Sequence, residues 1–419
     1  MQNLIIEALI WILYLVVLYY SIFWILIVLE TGFAEKRSKL KKYPTFSVII
    51  PSYNEEDSIN DTIKSFLNLD YPKEKLEIVV INDGSKDRTG KIVEELAREN
   101  KGRNIKLINQ INQGKAKSLN NGLKIINGEF FACLDADSII NSDALKKMLA
   151  VFQENGKELA IVTPSMRIRD PKTILQKFQR LEYLMSVTLA RFRSKLDCAH
   201  VAPGPFSVYR TEYITKMGGF DENNLTEDQE IAYRAQKNHY KILQCSDAIV
   251  YTLCPPNLKE LYKQRNRWFK GSLFNVIKYR SLMFNKNYAH FGMLQMPMNL
   301  FTFFAGIAAI VFLFEFTIQP ILKQIYNLYL IDFDILPLLR NMDITFNLTN
   351  VQFAKFFVIS TVFMLTMAWF YISHFSTNEK VAKHGALYFI PYFLIYYLFL
   401  SLISVIVVIE VLGGKFQKW

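Results

Sequence analysis

The chain has 419 residues, 51% of them hydrophobic, and a formal net charge of +11 at pH 7. That length holds one sizeable soluble core plus several membrane helices. The charge does not point to nucleic acid. Lys36, Arg37, Lys39, Lys41 and Lys42 cluster after the first apolar segment, with no nucleic-acid-binding motif nearby, so anionic membrane lipids are the expected partner.

Residues 8–29 carry no charge and exceed the roughly 20 residues that cross a bilayer. A cleaved signal peptide is the rival reading. No basic stretch precedes the run, it is too long, and no small-residue cleavage site follows, so residues 1–32 are expected to be a retained anchor.

From residue 44 to 256, short β-branched runs alternate with amphipathic segments. The pattern predicts strands at 46–51, 76–82, 104–109, 129–135 and 159–164, and helices at 55–68, 87–100, 114–126 and 142–154. Asp87 and Ser142 are candidate N-caps. Strand–helix repetition implies right-handed crossovers and an α/β domain with a mostly parallel sheet. Ligands then bind beyond the carboxyl ends of its strands.

Residues 172–196 mix apolar and basic positions at helical spacing and read equally as a surface helix or one lying in the membrane interface. Residues 257–290 form a second such region, read as interfacial because a membrane span follows. Residues 291–419 contain three further spans, at about 293–316, 353–375 and 385–412, with Pro297 and Pro391 expected to kink them. Placing Lys380 and Lys383 inside and Asp332, Asp334 and Asp343 outside gives four spans. The N-terminus is then outside and the α/β domain cytoplasmic. Asn347-Leu348-Thr349 is a sequon in the outer loop. Cys133, Cys198, Cys245 and Cys254 show no paired spacing, as expected of reduced thiols in a cytosolic domain rather than a structural zinc site.

The chemistry-bearing residues follow the strands. Pro51-Ser52-Tyr53-Asn54-Glu55 sits at a strand-to-helix turn, where a ring and a carboxylate could hold a nucleotide base, or Ser52 or Asn54 could simply cap the helix. Asp83-Gly84-Ser85 ends the second strand, glycine allowing a tight turn and close approach of a ligand. Asp135 and Asp137 in Leu134-Asp135-Ala136-Asp137 lie at a strand end behind an apolar run. Magnesium or manganese takes one or two such carboxylates plus phosphate oxygens. Lys115 is placed to pair with phosphate at a helix N-terminus, or to be an ordinary surface lysine.

Thr226-Glu227-Asp228-Gln229 reads as a capping box, yet a carboxylate there could also take a proton from an attacking hydroxyl. Gln264, Arg267 and Trp268 share one helical face. Trp268 suits stacking on a sugar ring and Arg267 a diphosphate; an interfacial aromatic and basic belt is the plainer reading.

These elements, in this order, resemble the processive family 2 glycosyltransferases, among them cellulose, chitin, hyaluronan and poly-N-acetylglucosamine synthases. The resemblance covers residues 45 to about 275. It implies a GT-A (Rossmann-like) cytosolic domain and an inverting, metal-dependent transfer from a UDP-sugar to a growing β-linked polysaccharide, coupled to export. By motif position, Pro51, Tyr53, Glu55, Asp83, Lys115 and Asp135 would hold the nucleotide sugar and Asp137 the Mg2+ or Mn2+. Asp228 would be the general base, and Glu227, Gln264, Arg267 and Trp268 would bracket acceptor and diphosphate. Pro203-Gly204-Pro205-Phe206-Ser207 resembles the strand lining the acceptor site. Four spans are few for a polymer channel, and no gating loop follows Trp268. The alternatives are single-sugar transfer to a membrane lipid, as in ceramide glucosyltransferases, and a non-catalytic membrane subunit retaining the fold.

Overall fold

The computed structural model describes residues 2–33, 39–334, 353–379 and 388–414. The expectations for Lys36, Arg37, Asp343, Lys380, Lys383 and Asn347-Leu348-Thr349 lie outside the described residues.

Eight strands form one sheet: β1 (Phe46–Ser52), β2 (Leu76–Asp83), β3 (Asn104–Gln110), β4 (Phe130–Cys133), β5 (Ile139–Ile140), β6 (Leu159–Ile168), β7 (Val208–Arg210) and β8 (Lys241–Thr252). Their order is β3-β2-β1-β4-β7-β6-β8-β5. β1 pairs in parallel with both β2 and β4, while β7 runs antiparallel between β4 and β6. This is a GT-A-like mixed sheet.

Its central strands are continuous apolar runs because both faces are covered. Val48 and Ile50 of β1 join Ile78 and Val80 in one core, beneath α2 (Ile59–Leu67), α3 (Thr89–Glu99) and α5 (Ala144–Asn155). Ile49, Val79 and Ile81 join the other, beneath α4 (Lys115–Leu123) and α8 (Glu227–Lys237). The period of two along a strand makes that division.

The five expected strands and four expected helices are present with ends shifted by a few residues. Asp87 accepts the Thr89 N–H at 3.0 Å from one residue outside the cap position, which Arg88 occupies without a side-chain bond. Ser142 does not cap: Asp143 precedes α5, without a side-chain bond. Residues 203–207 form a turn rather than a strand, because Phe206 adopts φ +64 and its N–H donates to the Cys133 carbonyl.

The short α7 (Thr211–Lys216) follows β7. Residues 172–196 form α6 (Ile174–Lys195), closed at its start by a Thr173–Gln176 capping box. It is not a free surface helix. One side packs on β6 and β8, the other on the membrane helices α1 (Gln2–Thr31) and α11 (Phe353–Thr377). The Gln264–Trp268 cluster lies on α9 (Leu258–Lys278), capped by Asn257.

Among the described residues, four helices are long and apolar enough to cross a membrane: Ile6–Thr31 of α1, α10 (Phe291–Leu330), Phe356–Thr377 of α11, and α12 (Phe389–Leu412). At 40 residues, α10 runs past its expected end near 316 and measures about 60 Å at ~1.5 Å per residue. Pro297 follows a π turn at Phe291–Gln295, and Pro391 precedes one at Tyr392–Tyr396. All four cysteines are buried free thiols.

Candidate active site

Because β1, β2 and β4 are parallel, the loops after Ser52, Asp83 and Cys133 open on one edge of the sheet. The first two are stitched together. Asn54 N–H donates to Ser85 Oγ at 3.0 Å, and Lys86 N–H returns to Asn54 Oδ1 at 2.8 Å. Glu55 N–H donates to Thr89 Oγ1 at 2.8 Å. So Asn54 ties two loops together rather than capping α2, and its φ of +55 sets the turn. Pro51 lies opposite Ile81, one step before the paired stretch ends at Ser52 and Asn82. Tyr53 is left 46% exposed, its ring free to stack.

Asp83 is buried and already employed. Its Oδ1 accepts from Gln110 Nε2 (2.7 Å) and Gln113 N (2.9 Å), and its Oδ2 from Gly114 N (2.9 Å). A carboxylate takes about four donors, so one position remains. Asp83 thereby fixes the turn that launches α4 at Lys115.

Lys115 is the hub. Its Nζ lies 2.6 Å from Asp135 Oδ1 and 3.1 Å from Glu227 Oε1, joining the end of β4 to the start of α8. Burial alone would lower its pKa; the charges of Asp135, Glu227 and Asp228 outweigh that and hold it above the ordinary lysine value. Gly204 lies against this bridge: a Cβ there would sit 2.8 Å from Lys115 Nζ and 3.0 Å from Asp135 Oδ2.

Around the hub the carboxyls crowd. Burial, then the charges of Asp135 and Glu55, push Asp137 up to about 6. Burial, with Asp135, Asp87 and Asp57, also raises Glu55, against the 2.6 Å hydrogen bond from Ser58 Oγ. Asp228 is pushed up to about 6 by burial and Glu227, while Lys115 and Arg267 pull the other way.

Among the described residues no three His, Cys, Asp or Glu side chains form a ready-made metal cage. The donor set still fits magnesium or manganese. These ions need one or two carboxylates, with water and substrate phosphates completing the shell, and the crowding of Asp137 by Asp135 and Glu55 is what a divalent charge would relieve.

The expected Thr226–Gln229 capping box is absent: Thr226 precedes α8 without a side-chain cap bond. Its hydroxyl is taken instead by Asn224 (3.3 Å) and by Asn275 Nδ2 of α9 (3.2 Å), which also reaches Gln229 Oε1 (3.2 Å). Gly271 permits the approach, since a Cβ there would stand 2.3 Å from Thr226 Oγ1. Asn275 and Gly271 were not singled out from the sequence; a glycine inside a helical pattern was the available signal.

On α9, Arg267 acts on Asp228 electrostatically. Gln264 and Trp268 are both held by Arg265, which sequence reasoning also passed over. Arg265 donates to Gln264 Oε1 at 3.0 Å and its guanidinium lies 4.0 Å from the Trp268 ring centroid. The structure thus brings Glu55, Asp135, Asp137, Lys115, Glu227, Asp228 and Arg267 into one electrostatic cluster. Tyr53 and Asp83 stand at its β1–β2 wall.

A mixed sheet with acidic loops at the carboxyl edge of its parallel strands is a GT-A-like arrangement, here joined to helices long and apolar enough to cross a membrane. Residues 47–218 match the model of glycosyl transferase family 2. It is 33% identical over 236 residues to the poly-beta-1,6-N-acetyl-D-glucosamine synthase of Staphylococcus epidermidis, covering 56% of each chain. To the enzyme of the same name from Staphylococcus aureus strain MSSA476 it is 33% identical over 261 residues, 60% of this chain and 62% of the other. The match spans less than two thirds of either relative. Among solved structures, a mannosyltransferase from Pyrobaculum calidifontis, in complex with GDP-Man and Mn2+, shares the fold with a TM-score of 0.57. The likeness covers 90% of this chain and 97% of that one at 18% identity.

Proposed function

We propose that this protein is an inverting glycosyltransferase that moves a sugar from a UDP-sugar onto a growing β-linked polysaccharide at the cytoplasmic face of a membrane, with extension coupled to export. The observation that carries the reading is the Asp135–Lys115–Glu227 bridge beside Asp228, with Arg267 acting on the same carboxyl from α9. Sugar transfer to a hydroxyl needs a base for the acceptor proton and positive charge for the departing diphosphate, and both meet here.

In this reading Tyr53 stacks on the base, and the open acceptor position of Asp83 takes a base N–H. Glu55 and Pro51 shape that wall. Asp135 orients the sugar, with Lys115 and Arg267 facing the diphosphate. Asp137 would hold a divalent cation, which supplies counter-charge to the phosphates when bound. Glu227 and Gln264 hydrogen-bond the acceptor sugar, which rests on Trp268. Asp228 takes the proton of the acceptor hydroxyl as its oxygen attacks the anomeric carbon, and the bonding pair of the breaking C–O bond leaves with UDP. Attack from the face opposite the diphosphate converts an α-linked donor into a β-linked product.

The test is UDP release by the purified protein from UDP-N-acetylglucosamine, UDP-glucose and UDP-glucuronate with Mg2+ or Mn2+, followed by sizing of the product. Polymer from one donor, abolished in a folded Asp228→Asn variant, is expected. Release unaffected by that substitution would sink the mechanism. A glycolipid as sole product would move the acceptor to the lipid class.

A further inference from the structure

We infer that Glu182 and Tyr396 are positioning residues that set Trp268 and Gln264 for the acceptor, acting through the buried Arg265. The inference rests on the transferase reading above but assigns residues that reading does not use.

Arg265 is 1% exposed, so it does not itself meet a ligand. Its Nη2 donates to Glu182 Oε2 of α6 at 2.7 Å, and the Tyr396 hydroxyl of α12 donates to the same oxygen at 2.6 Å. One carboxylate oxygen therefore gathers α6, α9 and α12 on a single guanidinium. A buried arginine keeps a fixed place only while its counter-charge is present.

Two consequences follow for the motif. The guanidinium covers one face of the Trp268 indole at 4.0 Å, which fixes the ring plane by cation–π contact and leaves the opposite face for a sugar ring. Its Nη1 occupies Gln264 Oε1 at 3.0 Å. That orients the carboxamide so that its NH2 group is the end left to donate, and a sugar hydroxyl or N-acetyl carbonyl is the acceptor that matches. Stacking plus an amide donor is recognition chemistry for a sugar residue at the acceptor end.

The experiment uses the full-length protein in detergent, with Glu182→Gln, Tyr396→Phe, Trp268→Ala and the Glu182→Gln/Trp268→Ala pair. It measures binding of a β-linked N-acetylglucosamine oligosaccharide without donor, and separately the KM for donor and for acceptor. Glu182→Gln should weaken oligosaccharide binding and raise the acceptor KM by about tenfold, with donor KM unchanged, the pattern of lost acceptor positioning. Tyr396→Phe should do the same more weakly. In the Trp268→Ala background Glu182→Gln should have a smaller effect, the part that runs through Gln264 alone, since coupled residues are not additive.

Equal binding by wild type and Glu182→Gln, no binding by wild type, or full additivity with Trp268→Ala each overturns the inference. So does a parallel rise of both KM values with a lowered Tm, the mark of a merely structural contact. The binding arm needs no turnover: if no nucleotide sugar is consumed, the transferase reading fails while this inference is still decided.

Discussion

Asp228 can accept a proton only as the carboxylate, and burial with Glu227 nearby pushes it up to about 6. The sign is direct: the base form prevails above that pH and is lost below it. With saturating Mg2+ holding Asp137 ionised, transfer should fall about tenfold per pH unit on the acid side of the midpoint. A pH–rate profile from 5 to 8 reads this, and Asp228→Asn should cost roughly 10²- to 10⁴-fold in kcat. A flat profile through 6 would show that another group takes the proton. Gly204→Ala probes the same bridge from outside. Its Cβ would meet Lys115 Nζ at 2.8 Å and Asp135 Oδ2 at 3.0 Å, both ends of side chains that can yield. Stability should drop by only about 1 kcal/mol, while activity falls at least about tenfold because the displaced bridge is the site itself. Thermal unfolding beside UDP release separates the two. The carboxylates were legible because each ends a strand or opens a helix. Arg265 was not, since its partner Glu182 lies 83 residues away and no local period announces such a pair.

Where elements meet, α8 and α9 touch through a contact that only glycine allows. A methyl at Gly271 would stand 2.3 Å from Thr226 Oγ1 and 2.5 Å from its Cγ2. Gly271→Ala should therefore cost about 1–3 kcal/mol by overpacking and slow transfer by shifting Asp228 on its helix. Thr226→Ala removes the two nearest clashing atoms and leaves only its Cβ at 2.9 Å, so the double variant should be more stable than the sum of the singles predicts. Chemical denaturation of all three reads the coupling, and strict additivity would show that the two helices do not meet as described. The same contact explains the misread capping box. Thr226 and Gln229 have the right spacing, but Asn275, 49 residues from Thr226, claims the hydroxyl. Local pattern shows which residues are able to cap; tertiary partners decide whether they do. β7 and β8 were missed for a related reason. β7 has three residues, and β8 alternates in burial, so neither shows the continuous apolar run of a central parallel strand.

Over the whole molecule, the apolar helices were legible from length and composition, but the contacts of the last one were not. The four-span reading sends α12 across the bilayer and residue 414 to the side opposite the catalytic domain. The contacts tie α12 to the domain's own helices near both ends. Just before α12, Tyr388 Oη lies 3.1 Å from Lys177 Nζ of α6. Within it, Tyr396 bonds Glu182 of α6. Near its end, Glu410 Oε2 lies 2.7 Å from Lys270 Nζ and 3.1 Å from Asn266 Nδ2 of α9. Lys270 adjoins Gly271, which rests on Thr226 of the catalytic domain. A helix of 24 residues is about 36 Å long, and a lysine side chain reaches only a small part of that. The apolar face of α12 also packs on α10 through Phe303, Ile403 and Val407. If the contacts with α6 and α9 persist in a bilayer, both ends of α12 stay on the side of the domain. The expected outcome is that a thiol introduced as Gly414→Cys reacts with an impermeant maleimide from the same side of sealed vesicles as one at Lys147→Cys on the catalytic domain, the native thiols being buried. Labelling from opposite sides would mean that α12 crosses and that its contacts with α9 are not kept in the bilayer.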